Sequence, residues 1–177
     1  MTSRTRNANI VRIVAAMVIG VTFCTAANAV NDPIAYWNFN TLAIPTAGTP
    51  AALGITSIAP TTDTGSSTLS LTGFAGNIDD FSGTALNADT LNPPGNGNVS
   101  LSMLPGGTPF PGNGGFLQFE FSMTGRTGFG VSYATQSSST GFNSTQWSYS
   151  TDGTNFTNFE SPVVPGVGAY GLVGPLL

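Results

Sequence analysis

In Gly115-Phe116-Leu117-Gln118-Phe119-Glu120-Phe121-Ser122-Met123 apolar and polar side chains alternate without a break from Leu117 onward. In an extended chain successive side chains point to opposite faces. Leu117, Phe119, Phe121 and Met123 therefore share one face, and Gln118, Glu120 and Ser122 the other. A period of two with one wet face predicts a half-buried strand in an antiparallel sheet.

The same signal recurs outward from this stretch. Gly125 and Gly128 flank a turn, after which Phe129-Gly130-Val131-Ser132-Tyr133-Ala134-Thr135 alternates again, with Phe129, Val131 and Tyr133 inside. Trp147-Ser148-Tyr149-Ser150, Thr151-Asp152-Gly153-Thr154 and Asn155-Phe156-Thr157-Asn158-Phe159 then read as strand, turn and strand. Asp-Gly between alternating runs is a strong hairpin signal, since glycine takes positive φ without steric cost. Upstream, Thr68–Phe74 alternates and Ile34–Phe39 opens between Pro33 and Pro45. Residues 41–65 read as loop, 75–91 as turn-rich, and 92–115 as a long Pro/Gly-dense loop with one short strand at Val99–Met103. Many short strands without an amphipathic helix predict an all-β fold, an antiparallel jelly-roll-like β-sandwich. Pro162, Pro165 and Pro175 make residues 162–177 a poor central strand. The expectation is an irregular tail, with the closing strands of the sandwich missing through truncation or a displaced reading frame.

The start of the chain has a different logic. Arg4, Arg6 and Arg12 precede or edge an apolar run, Ile10 to Phe23, which is followed by Ala27-Asn28-Ala29. A basic start, a short apolar middle and a small-x-small exit describe a secretory signal peptide. A retained anchor is the competing reading. However, a helix at about 1.5 Å per residue would span about 21 Å over this run, short of a hydrocarbon core of about 30 Å. The expected organisation is a signal-peptide helix over 1–29, a sandwich domain over 30–161 and a tail over 162–177. Cys24, the single cysteine, falls inside the leader, and Val21-Thr22-Phe23 before it does not form a lipoprotein box.

Cleavage after Ala29 would leave Arg126 as the one cation among eight acids, with no Lys, His or Cys. Such a chain has little with which to neutralise phosphates, which argues against nucleic acid and anionic lipid surfaces as partners. Nucleophilic catalysis lacks its usual base and thiol, and a zinc site would need carboxylates alone. Phe, Trp and Tyr stay plentiful, unlike in an acidic disordered tail.

Several stretches together resemble a known group. They are Gly115–Met123, Thr127–Thr135, Ser139–Ser144, Trp147–Phe156, Ala35–Asn40 and Ala85–Ala88. They are similar to bacterial secreted β-sandwich proteins of the kind carrying a PEP-CTERM sorting tail, over most of residues 34–160. The resemblance implies export, a jelly-roll-like sandwich, and a role at the cell surface or in exopolysaccharide. No Pro-Glu-Pro motif follows Glu160.

Three kinds of site remain for the residues available. Exposed aromatics can stack on sugar rings beside amides. Tyr36, Trp37, Trp147 and Tyr149 are the candidates, with Tyr170 further on and Asn38, Gln136 and Gln146 nearby. Against that stands the ordinary use of strand aromatics in cores and cross-strand pairs. Asp79, Asp80, Asn87 and Asp89 are hard oxygen donors close in sequence and can hold a structural calcium. Asx turns explain the same residues. Glu120 lies on the polar face of its strand, where a carboxylate-based glycoside hydrolase would place an acid, but its same-face neighbours Gln118 and Ser122 supply no second one. The composition thus argues for a secreted, non-enzymatic structural or matrix module. A carbohydrate-binding sandwich is the alternative and a hydrolase the third reading. No cofactor is expected beyond a structural calcium, and no membrane partner after cleavage.

Overall fold

The computed structural model describes residues 9–16, 34–63, 66–84, 86, 98–106, 110–125 and 130–176. Its regular secondary structure is almost wholly strand. In chain order these are β1 (Asn9–Ala16), β2 (Ala35–Tyr36), β3 (Ser57–Ile58), β4 (Thr62–Asp63), β5 (Thr68–Ser70), β6 (Asn77–Ser82), β7 (Val99–Leu104), β8 (Gln118–Ser122), β9 (Val131–Thr135), β10 (Thr145–Ser150), β11 (Thr157–Val163) and β12 (Gly171–Leu176). One short helix, α1 (Pro50–Leu53), is capped by the Thr49 hydroxyl, which accepts from the Ala52 N–H. No helix among the described residues is long and apolar enough to cross a membrane.

The strands form a six-stranded sheet in the order β11-β10-β1-β8-β5-β3, and three pairs, β12-β9, β2-β4 and β6-β7. Among the described strands all ladders are antiparallel except those of β1, which runs parallel to both β10 and β8. This corrects two expectations. Residues 9–16, expected to be helical, are a strand, and the sheet is not purely antiparallel. Ile10, Val11, Ile13 and Val14 are β-branched and favour extended backbone, and strands on either side offer backbone partners. A strand reached by a long connection can pair parallel, as a tight hairpin cannot. The Ala27-Asn28-Ala29 exit and Cys24 lie outside the described residues.

The core consists of Ile44, Leu69, Leu71, Phe74, Ile78, Leu117 and Trp147. Around it pack Phe119 and Phe121 of β8, Val131 and Tyr133 of β9, and Leu101 and Met103 of β7. Of the expected apolar face, Leu117, Phe119 and Phe121 meet the core, while Met123 is half-buried. Glu120 and Ser122 stay exposed. Leu69, Leu71 and Ile78 are completely buried, and burying one such side chain contributes about 1.5–3 kcal/mol. Tyr133 of β9 and Trp147 of β10 bring two of the sheets into contact, ring centroids 5.2 Å apart.

Three further boundaries differ from expectation. Asp79 and Asp80 sit inside β6, not in a turn, and pair with Ser102 and Leu101 of β7. Buried Ile78 and the bond from the Ile44 N–H to Asp80 Oδ2 (3.1 Å) outweigh the poor strand propensity of aspartate. The 162–177 segment is not wholly irregular: Pro162 and Val163 end β11, and Gly171–Leu176 pairs with β9. Ser137 and Val167 also form an isolated bridge. Lastly, the β10–β11 hairpin forms, but its turn is wider than a bare Asp-Gly. Between Ser150 and Thr157 the chain winds around Asp152, whose Oδ1 accepts from the Thr154 and Asn155 N–H groups at 2.8 and 2.7 Å. Gly153 takes φ 73° there.

Those hydrogen bonds, the strongest being from the Asn155 backbone, hold the Asp152 carboxyl well below its ordinary value of 3.8. A lowered folded-state pKa contributes stability that is complete above the ordinary value and is lost as pH falls past it. Acidification from about pH 6 to about pH 2 should therefore lower the melting temperature of the wild type more than that of Asp152→Asn. Thermal melts of both proteins across that range check this, and equal slopes would refute it.

Candidate functional site

The four aromatic candidates have separate fates. Trp147 is only 5% exposed. One ring face stacks on Phe119 at 5.9 Å, Tyr133 tilts against it, and its Nε1–H donates to the Tyr133 hydroxyl at 2.9 Å. Burial pushes the Tyr133 phenol above its ordinary pKa of 10.0. Trp147 is a core residue and has no face for a sugar. Gln146 is equally engaged: its Nε2 donates to the carbonyls of Trp147, Phe159 and Glu160, which spans the register shift in the β10–β11 ladder. Tyr149 is exposed and meets Phe159 edge-on. Tyr170 donates to the Ser82 carbonyl at 2.6 Å and lies 2.8 Å from Ser100 Oγ, fastening the segment before β12 to β6 and β7. Tyr36 ends β2 and is partly buried.

Trp37 lines a groove. A hollow of about 420 Å³ runs along the β3 edge of the large sheet, with Trp37, Phe39, Leu42, Ile55, Ile58 and Thr61 among its walls. The Trp37 Nε1–H donates to the Ile58 carbonyl at 3.1 Å, and the ring stands edge-on to Phe119 at 5.1 Å. These contacts fix the indole plane. Phe39 holds φ 57°, a left-handed conformation rare for a bulky residue. The turn around it is secured by the Leu42 N–H on the Phe39 carbonyl and by Asn40 Oδ1, which accepts from the Val99 N–H. Thr41, Ser57 and Thr61 add hydroxyls to an otherwise apolar wall. Such a groove can hold an apolar or pyranose face and offer it hydroxyl partners. Its lining carries no acid or base.

Of the calcium candidates, the described carboxylates, Asp79 and Asp80, do not converge. Asp79 and Asp80 are strand neighbours, so their side chains leave opposite faces of β6. Asp79 Oδ1 accepts from the Asp80 N–H and Asp80 Oδ2 from the Ile44 N–H. Asn87 and Asp89 lie outside the described residues, and among the described residues no three His, Cys, Asp or Glu side chains form a metal-binding group. Asp80 also borders a second hollow of about 430 Å³, with Phe81, Ser82, Asn98 and Val99. Glu120 accepts from the Gln118 Nε2 at 2.7 Å on the exposed face.

The Trp37 groove could not be located from sequence because its walls come from two stretches, 37–43 and 55–61, joined by short ladders. The one legible hint was the Trp-Asn-Phe-Asn run beside Pro45. No family model, curated protein or solved structure matches the chain.

Proposed function

We propose that the protein is an exported, non-catalytic structural module of the cell surface or exopolysaccharide matrix, built as a jelly-roll-like β-sandwich. One observation carries this reading: among the described residues, Asp80 and Asp152 spend their carboxylates on backbone N–H groups that hold the fold. Asp80 holds the Ile44 loop, Asp152 organises a hairpin turn, and Glu120 pairs with Gln118. The Tyr133–Trp147 packing between two sheets supports the sandwich. The resemblance to secreted proteins with sorting tails supports the location. The exported chain should co-sediment with surface polysaccharide and release no sugar from β-glucans. Turnover that disappears on replacing a single acidic residue would overturn the reading.

A second reading, carbohydrate binding, is favoured by the Trp37 groove. If that groove holds sugar, Trp37→Ala should weaken polysaccharide binding about tenfold, or ~1.4 kcal/mol, while Tyr149→Ala leaves it unchanged. Affinity electrophoresis measures both, with melting temperature recorded to separate binding from folding.

A further inference from the structure

We infer that the gap between β8 and β10 is a strand-acceptor slot, closed in the precursor by residues 9–16 and opened for an extended peptide of another chain when the leader is removed. The inference rests on the reading of residues 1–29 as a cleaved leader. Its structural basis is the sheet order. β1 is the only strand between β8 and β10, with Ile13 registered to Phe119 on one side and to Tyr149 on the other. Cleavage after Ala29 takes β1 away and leaves two facing edges of unpaired backbone. Those edges stand two strand spacings apart, about 9.6 Å, far beyond hydrogen-bond reach.

The gap is built to persist. Phe119 of β8 and Trp147 of β10 lie two strands apart, yet their rings stack at 5.9 Å and bridge the slot on one face. Phe119 is also braced by Trp37, and Trp147 by Tyr133. On the outer sides β5 pairs with β8 and β11 with β10. To pair with each other, β8 and β10 would have to approach by a full strand spacing and break this aromatic row. The seated strand shows what fits: about eight extended residues, rich in Ile and Val, parallel to both neighbours. Proline is excluded, because both edges need N–H donors. Main-chain bonds on two sides would give affinity and side-chain pattern would give selectivity, as in other strand-addition complexes.

The probe is a peptide of residues 9–16 with lysine flanks, and its Ile13→Pro version is the control. Two proteins are used: the exported chain, and the full-length chain carrying Ile13→Pro, in which the leader can no longer complete the ladder. In both, amides of β8 and β10 should exchange at least about tenfold faster than in the full-length wild type. The peptide should restore their protection, and its proline version should not. Wild-type full-length chain, whose slot is filled in cis, should not bind peptide. If the amides stay protected without peptide, the slot closes on itself and the inference fails. It fails equally if the exported chain dimerises through these edges and the peptide does not compete. The mass of the exported chain reports separately on the leader. A protein beginning elsewhere than Val30 refutes the leader reading, while the proline variant still decides whether the slot accepts a strand.

Discussion

Trp147→Ala should cost the protein about 3–5 kcal/mol, the range for deleting a large buried aromatic, against a total stability of about 5–15 kcal/mol for a domain. Trp147 is 5% exposed and joins strands that the chain brings together from distant positions. Its ring is stacked on Phe119 and tilted on Tyr133, and its indole N–H meets the Tyr133 hydroxyl. Removing it opens a cavity where β9 packs on β10. It also takes away the ring that bridges β10 to β8. Trp147→Phe separates the contributions. It retains much of the stacking and loses the hydrogen bond, so its cost should be about 1–2 kcal/mol. Denaturant unfolding followed by far-ultraviolet circular dichroism measures both. A loss below about 1 kcal/mol for Trp147→Ala would mean that the ring is not buried as described.

How far the sequence discloses this arrangement depends on whether local pattern and tertiary packing agree. They agree in β8, where Leu117, Phe119 and Phe121 turn to the core while Glu120 and Ser122 stay wet. In β9 the inward Val131 and Tyr133 were equally legible, while Phe129 lies outside the described residues. They conflict in β6, where two adjacent aspartates look like a turn. The strand there is imposed by the burial of Ile78, its bridge to Gly48, and the bond from Ile44 to Asp80. They conflict again at β12, where glycine and proline weaken the strand signal and pairing with β9 supplies what local propensity lacks. β1 is a different failure. An apolar run of β-branched residues suits a short helix and a parallel strand equally, and only the presence of two open edges distinguishes them. For the site, the sequence could name Trp37 and Trp147 as aromatics but not their environments. One indole lines a groove and the other is sealed in the core, and that difference comes from strands far apart in sequence.

Gly76→Ala should be nearly as damaging as the loss of Trp147, and for an opposite reason. A Cβ at position 76 would lie 2.3 Å from the Leu104 carbonyl oxygen, 2.7 Å from the Phe74 ring and 2.9 Å from the Gly112 Cα. Phe74 can rotate only into a packed core, since it is 3% exposed. The other two contacts are backbone, and no change of rotamer relieves them. The methyl group must therefore push the end of β7 and the 111–114 turn away from β6. Overpacking costs typically 1–3 kcal/mol when side chains can adjust, so with backbone in the way the expected loss is about 3 kcal/mol or more. Gly171→Ala is the matched control: it adds the same methyl group in β12, where nothing lies within 4 Å. There the substitution should be neutral or stabilise by up to about 1 kcal/mol, because alanine restricts the unfolded chain. Unfolding free energies of the two variants, measured side by side, distinguish steric exclusion at Gly76 from a general intolerance of alanine for glycine in these short strands. If both lose the same amount, the close approach of β6, β7 and the 111–114 turn is not what requires glycine at position 76.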